Sequence, residues 1–301
     1  MYLLRRFFCV IFAVRTHKVL FAMTNTSAEL NTIERPRLWR LALQIDSEAL
    51  RAVVWSTVEE PSLRHFTMPL DPTLPLHKAV EETVYSTPLL LSDFGGIDVV
   101  VRTRAFTLVP DGFDRELQRK LMHYCQIDDD SQAQYVQNIA GADASVLWTL
   151  DEKTAGFVAR TFRNPAMHCH ITPLVRFFGR QALLGNRGKL FAHLHGKGEG
   201  RQVDIVAFDR FGRLAMAATH PTPALEDMLY YILASARHAD LDLSNDEIQL
   251  CGSAATRDAL MPLLRTYASY VMPMIFPSAA LRNGREALEA PLPLILLPLC
   301  E

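Results

Sequence analysis

Two stretches of this 301-residue chain follow one plan. Leu41–Ile97 and Leu190–Ile248 each read as strand, strand, strand, helix, strand. From Leu41 the next elements start near Arg51, Leu63, His77 and Ile97, offsets of 10, 22, 36 and 56. From Leu190 they start near Gln202, Arg213, Pro223 and Ile248, offsets of 12, 23, 33 and 58. Such spacing predicts one α/β unit used twice, with ligand chemistry sought between the copies.

Local signals define the elements. Trp39–Ile45 and Arg51–Ser56 flank a polar turn at Asp46-Ser47-Glu48 and predict a hairpin. Arg64–Met68 is a third strand, stopped by Pro69. Leu76, Ala79, Val80 and Val84 form a helical stripe. Ile97–Val101 is a short β-branched run suited to a buried strand. Further on, Phe106–Val109 and Ser145–Leu150 read as strands, and Asp128–Asp130 as a solvated turn. Asp114–Tyr124, a helix capped by Asp151 running through Phe162, and Pro173–Leu184 read as helices. In the second copy, Leu190–His195, Gln202–Phe208, Leu214–Thr219 and Ile248–Cys251 are strands, with Gly196–Gly200 as a hairpin turn. Pro223–Arg237 is a helix, and Gly252-Ser253 opens another through Tyr267. Val271–Phe276 is a late strand, and Leu294–Leu299 a closing apolar element of undefined type.

Composition narrows the function classes. Hydrophobic residues make up 49% of the chain and charged ones 21%, so it can build a large core. The net charge of -2, with both signs intermixed, points to neither nucleic acid nor a membrane surface as partner. Cys9, Cys125, Cys169, Cys251 and Cys300 form no CxxC pair and read as reduced thiols of a cytoplasmic protein. Arg5 and Arg6 precede the apolar run Phe7–Val14, which is too short for a span of about 20 residues. The first 22 residues read as a non-native or misassigned extension rather than a signal or anchor.

Four phrases carry a resemblance. They are Leu89–Phe94, Phe106–Pro110, His168–Leu174 and the terminal Leu299-Cys300-Glu301. In these, across 37–301, the chain resembles an uncharacterised Bacteroidetes domain-of-unknown-function family with an actin-like ATPase fold. The resemblance implies an α/β fold with mixed sheets and actin-like ATPase architecture. Two ribonuclease H-like lobes would each start β-β-β-α-β. The expected division is 1–36 as a disordered or misassigned extension, 37–188 as the first lobe and 189–301 as the second.

The resemblance also implies where a nucleotide would lie. In actin-like ATPases, turns from both lobes hold ATP and magnesium. The matching positions here are Asp46 and Ser47, then Gly196, Lys197, Gly198 and Gly200, then Gly252 and Ser253. The first turn lacks the glycine and carries Glu48, an anion where phosphates would sit. In the second, His193-Leu194-His195-Gly196 replaces the Asp-x-Gly pattern. The third keeps Gly252, which close helix–strand packing requires on steric grounds alone. Pro173–Gly185 resembles the helix connecting the lobes, with Gly179 and Gly185 as small contact positions.

Two His-x-His pairs, His168/His170 and His193/His195, offer a different chemistry. In a strand, i and i+2 share a face, so each pair can supply two metal ligands, with Asp204 or Asp209 as a third. Surface or inter-lobe polar residues are the plainer reading. Cys169 between histidines is a thiolate candidate, against the commoner structural cysteine. The leading expectation is a bacterial, non-catalytic scaffold or partner-binding protein, a pseudo-ATPase with a degenerate cleft. The alternatives are an ATPase or phosphotransferase, and a metal-dependent enzyme using the histidine pairs.

Overall fold

Apolar residues on either side of the Asp46–Glu48 turn pair β1 (Trp39–Ile45) with β2 (Ala49–Ser56). In the computed structural model, which describes residues 33–56, 58, 63–125, 131–276 and 289–300, Leu43 lies opposite Ala52 across this hairpin. The predicted extension through residue 32, the Asp128–Asp130 turn and Glu301 lie outside the described residues. The elements below belong to a compact unit, Arg35–Glu301.

β2 pairs with antiparallel β3 (Leu63–Pro69). Helix α1 (Leu76–Ser86) then buries Ala79, Val80 and Val84, the predicted stripe. The chain returns as β4 (Gly96–Val101), parallel to β1, with Val99 opposite Leu43. Later β8 (Ala166–Cys169) adds to β4 in parallel, giving a sheet ordered β3-β2-β1-β4-β8.

The second copy repeats this order. Strands β9 (Lys189–His195), β10 (Gln202–Phe208) and β11 (Leu214–Pro221) meander, helix α5 (Leu225–His238) follows, and β12 (Glu247–Gly252) lies parallel to β9. With β13 (Tyr270–Pro273), the order is β11-β10-β9-β12-β13. The duplicated plan is therefore real at the level of strand order, and the fold is mixed α/β. Between β12 and β13 runs α6 (Ala254–Leu264), whose Leu260 and Leu264 join a core with Ile205, Ile232 and Leu250.

An insert between β4 and β8 forms a small antiparallel sheet. It contains β5 (Phe106–Pro110), α2 (Arg115–Tyr124), β6 (Gln132–Ile139), β7 (Ala144–Asp151) and α3 (Glu152–Thr161), with strand order β5-β7-β6. Asp151 caps α3 as expected, accepting from the Thr154 amide, and Asp114, read as the first residue of its helix, instead caps α2 by accepting from the Leu117 amide. β6 has no counterpart in the sequence reading. It is an edge strand with Gln134, Val136 and Asn138 exposed, so it lacks the apolar run that marks a buried strand. Tyr135 anchors it by stacking on Trp148 at 4.3 Å.

Helix α4 (Ile171–Ala182) lies at the centre, packing on β6, β8, β10 and β11. Gly179 faces Phe208, a close contact as expected, whereas Gly185 has open space around it and φ of +95°. Gly185 is thus required by its left-handed backbone rather than by packing. The closing element is a helix, α7 (Leu292–Cys300), which packs on α4, β1 and β2. Its Leu294 and Leu297 share a core with Ala42, Val53 and Val100. None of the described helices is long and apolar enough to cross a membrane.

Candidate functional site

Three turns meet at one end of the paired sheets and border a cleft of about 940 Å³. The first is the β1–β2 turn. Asp46 Oδ1 accepts from the Glu48 amide at 2.9 Å and the Ala49 amide at 2.7 Å. This is the usual way an aspartate stabilises a tight turn. Its Oδ2 pairs with Arg51. Both oxygens are therefore engaged within the hairpin. Ser47 and Glu48 form the exposed tip.

The second turn joins β9 to β10. Gly196 has φ of +76°, and a Cβ there would stand 2.2 Å from the Gly200 carbonyl oxygen, so no other residue fits. A Cβ on Gly200 would stand 2.6 Å from Glu48 Oε1. The two turns thus touch, with a carboxylate against the glycine loop. Lys197 is exposed beside them. The third turn leads from β12 into α6. Gly252 has φ of +98°, and a Cβ there would meet the Leu194 carbonyl oxygen at 2.0 Å. Ser253 caps α6 by accepting from the Thr256 amide.

Seven of the eight residues expected to hold a nucleotide, Asp46, Ser47, Gly196, Lys197, Gly200, Gly252 and Ser253, border this one cleft. Gly198 does not; it lies in the short 3-10 turn Gly198–Gly200, where an added Cβ would have open space around it.

Beneath the cleft is a buried charge cluster. Asp204, in the middle of apolar β10, is fully buried. Arg102, just past β4, reaches both of its oxygens at 3.1 Å. His193 Nδ1 lies 3.0 Å from Oδ2, and the Thr219 hydroxyl donates to Oδ1 at 2.9 Å. Thr219 Oγ1 in turn lies 2.9 Å from His170 Nε2. Arg102 Nη1 also stands 2.7 Å from His195 Nε2. A guanidinium only donates, so His195 Nε2 must be its unprotonated acceptor. Burial alone would raise the Asp204 carboxyl, but Arg102, His195 and His170 outweigh it and hold it well below the carboxylate range. Burial, with help from Arg102, lowers His195 to about 4, and it lowers His170 too.

A pH dependence follows from these shifts. His195 is neutral in the fold with a pKa of about 4, against an ordinary 6.5. The unfolded chain therefore takes up a proton that the native chain refuses. The associated stability is complete above about pH 6.5 and is lost as pH falls through about 4. His170 adds the same sign. Unfolding midpoints recorded from pH 8 to pH 4 are expected to fall below about pH 6.5, and less steeply for His195→Gln. A flat profile would refute this account of the cluster.

Of the two histidine pairs, His193/His195 shares a face as expected, whereas His168/His170 does not. The strand ends at Cys169, and His170 takes helical φ and ψ of -56° and -26° as α4 begins. His168 therefore points to Asp98 at 3.2 Å and to Gln137 at 2.7 Å, while His170 points to Asp204 and Thr219. His193, His195 and Asp204 do converge, with ligand atoms within 4.8 Å of one another. The Arg102 guanidinium bonds to both His195 and Asp204, so a cation already stands where a metal would. Asp209 is elsewhere, holding the β10–β11 turn and Arg213. Cys169 is fully buried, and burial pushes its thiol up to about 12, so it is no thiolate.

Arg102 is the site residue that sequence reasoning missed. Its signal was Asp204 itself, because a carboxylate inside Val203–Phe208 demands a buried partner.

Relatives extend these observations. The family described as Protein of unknown function (DUF3822) matches residues 28–271. A protein with actin-like ATPase fold and unknown function from Bacteroides thetaiotaomicron has 19% identity and a TM-score of 0.72. That similarity covers 81% of this chain and 94% of the other. A chain of the PilM-PilN type IV pilus biogenesis complex has 16% identity and a TM-score of 0.51, covering 87% of this chain and 98% of that one. The likeness to these structures establishes the actin-like fold. No curated protein matches.

Proposed function

The chain belongs to the DUF3822 family, and we propose that it is a non-catalytic, partner-binding protein whose inter-lobe cleft does not hold ATP. Its lobes are taken as 37–188 and 189–301, with α7 returned to the first. One observation carries the reading: the Glu48 carboxylate lies against Gly200, where the two phosphate-binding turns of an actin-like ATPase would clasp an anion. A unit-charge repulsion at about 4 Å near a surface is of order 4 kcal/mol before screening. Asp46, the residue matching the magnesium position, spends both oxygens on its own turn and on Arg51. These residues do not fit the Mg-ATP group. Gly252 is explained by its contact with Leu194, without a nucleotide. A similar fold in a chain of the PilM-PilN complex supports protein association as the use of this architecture.

Thermal unfolding with Mg-ATP tests the proposal. Saturation to 100 times a dissociation constant would add about 2.7 kcal/mol and raise the midpoint by several degrees. The expected result at millimolar Mg-ATP is no change. A rise that Lys197→Ala abolishes would sink the empty-cleft reading and favour an ATPase.

A further inference from the structure

We propose that the end of the second sheet opposite the cleft docks an acidic protein segment carrying large apolar side chains. The cleft borders the C-terminal ends of β9 and β12, whereas this surface lies where β9 begins and β10 ends, a row that pairs Phe208 with Lys189. Helix α4 ends there on Leu183 and Leu184, which are 67% and 64% exposed. The β10–β11 turn presents Phe211, 62% exposed. The two pieces touch: a Cβ on Gly212 would stand 2.6 Å from Leu183 Cδ2. Three exposed large apolar side chains are thus carried by two segments that meet at Leu183 and Gly212.

The rim of this patch is cationic. Arg210 and Arg213 lie over the Phe211 ring at 4.8 and 5.2 Å, and Arg180 stands one helical turn before Leu183 and Leu184. Asp209 answers Arg213 at 2.7 Å. Neither Arg210 nor Arg180 has a carboxylate partner among the described residues, although Arg180 Nη1 donates to the Leu299 carbonyl oxygen. Two guanidinium charges, with the donors Arg180 does not spend on Leu299, are thus left for an incoming carboxylate beside the phenylalanine and leucines.

Charge complementarity selects an acidic partner, and the neighbouring loop selects protein over membrane. Asp240, Asp242 and Asp246 lie on the α5–β12 connection at the same end, and Asp246 accepts the Gly188 amide at 2.8 Å. A planar anionic bilayer meeting this end would face those carboxylates as well. A peptide segment can follow the arginines and avoid them. The inference rests on the partner-binding reading and gives it a location. Failure here, with partner association intact elsewhere, would remove this surface and leave that reading standing.

The test uses the full chain and two sets of short synthetic peptides. In one, leucine and phenylalanine alternate with aspartate and glutamate; in the other, lysine replaces each acid. Fluorescence anisotropy should show acidic peptides binding at least about tenfold tighter than basic ones, with affinity falling as salt rises. Arg210→Glu with Arg180→Glu should remove that preference, and Leu184→Ser with Phe211→Ser should remove binding. Circular dichroism checks that each variant is folded. Equal binding of both sets, no binding by either, or binding untouched by the variants would overturn the proposal. So would co-sedimentation with phosphatidylserine–phosphatidylcholine vesicles that the same variants abolish, which would assign the surface to a membrane.

Discussion

Arg102→Ala is expected to cost about 3–5 kcal/mol of folding stability, because it leaves a buried carboxylate without its cation. Asp204 has no exposed surface, and Arg102 is the guanidinium that reaches both of its oxygens. For a chain of this size the loss corresponds to a midpoint lowered by roughly 10 °C. The same change frees the tie between the end of β4 and β10, so the amides of β9 and β10 should exchange faster. A double variant, Arg102→Met with Asp204→Leu, removes both charges and should recover most of the loss, since well-packed apolar replacements of buried ion pairs are often neutral. Denaturant unfolding measures both. An Arg102→Ala protein within about 1 kcal/mol of the parent would show that the pair is not desolvated as described.

Leu294→Asp is the second large effect. Leu294 is fully buried on α7 against Ala42, Val53 and Val100. Losing the leucine alone costs about 2–5 kcal/mol. Placing a carboxylate there adds a desolvation cost, which no cation in that cluster offsets. The expected outcome is a first sheet exposed on one face, seen as dye binding and as protease cutting ahead of Ala290. Leu294→Met, which nearly conserves volume, should cost less than about 1.5 kcal/mol. Equal behaviour of the two variants would mean that α7 does not complete this core.

The contrast between these residues explains what the sequence could tell. The duplicated sheets were legible because β-branched runs, turn aspartates and the α1 stripe are local signals, each read within a dozen residues. The turns at Asp46–Glu48, Gly196–Gly200 and Gly252-Ser253 were legible as turns for the same reason; their match to nucleotide-binding positions came from the resemblance alone. Arg102 was not legible, because Asp204 signals that a buried cation is needed without saying which, and the cation lies 102 residues away. Helix α7 stayed undefined because Leu292–Cys300 is apolar almost throughout, with Pro293 and Pro298, and a helix buried on every side shows no stripe. β6 escaped notice as an exposed edge whose pairing is set by β7 rather than by its own residues.

The return of α7 to β1 and β2 also fixes an order of events during synthesis. Trp55 and Ala290 belong to the same core, so a sheet begun at Trp39 is completed only once α7 has been made. At about 5–20 residues per second, that half-built sheet waits on the order of 10–50 s with one face uncovered. Until α7 emerges, the amino-terminal half has an uncovered apolar face of the kind chaperones bind. A chain stalled before α7 would therefore fail first in the part translated earliest.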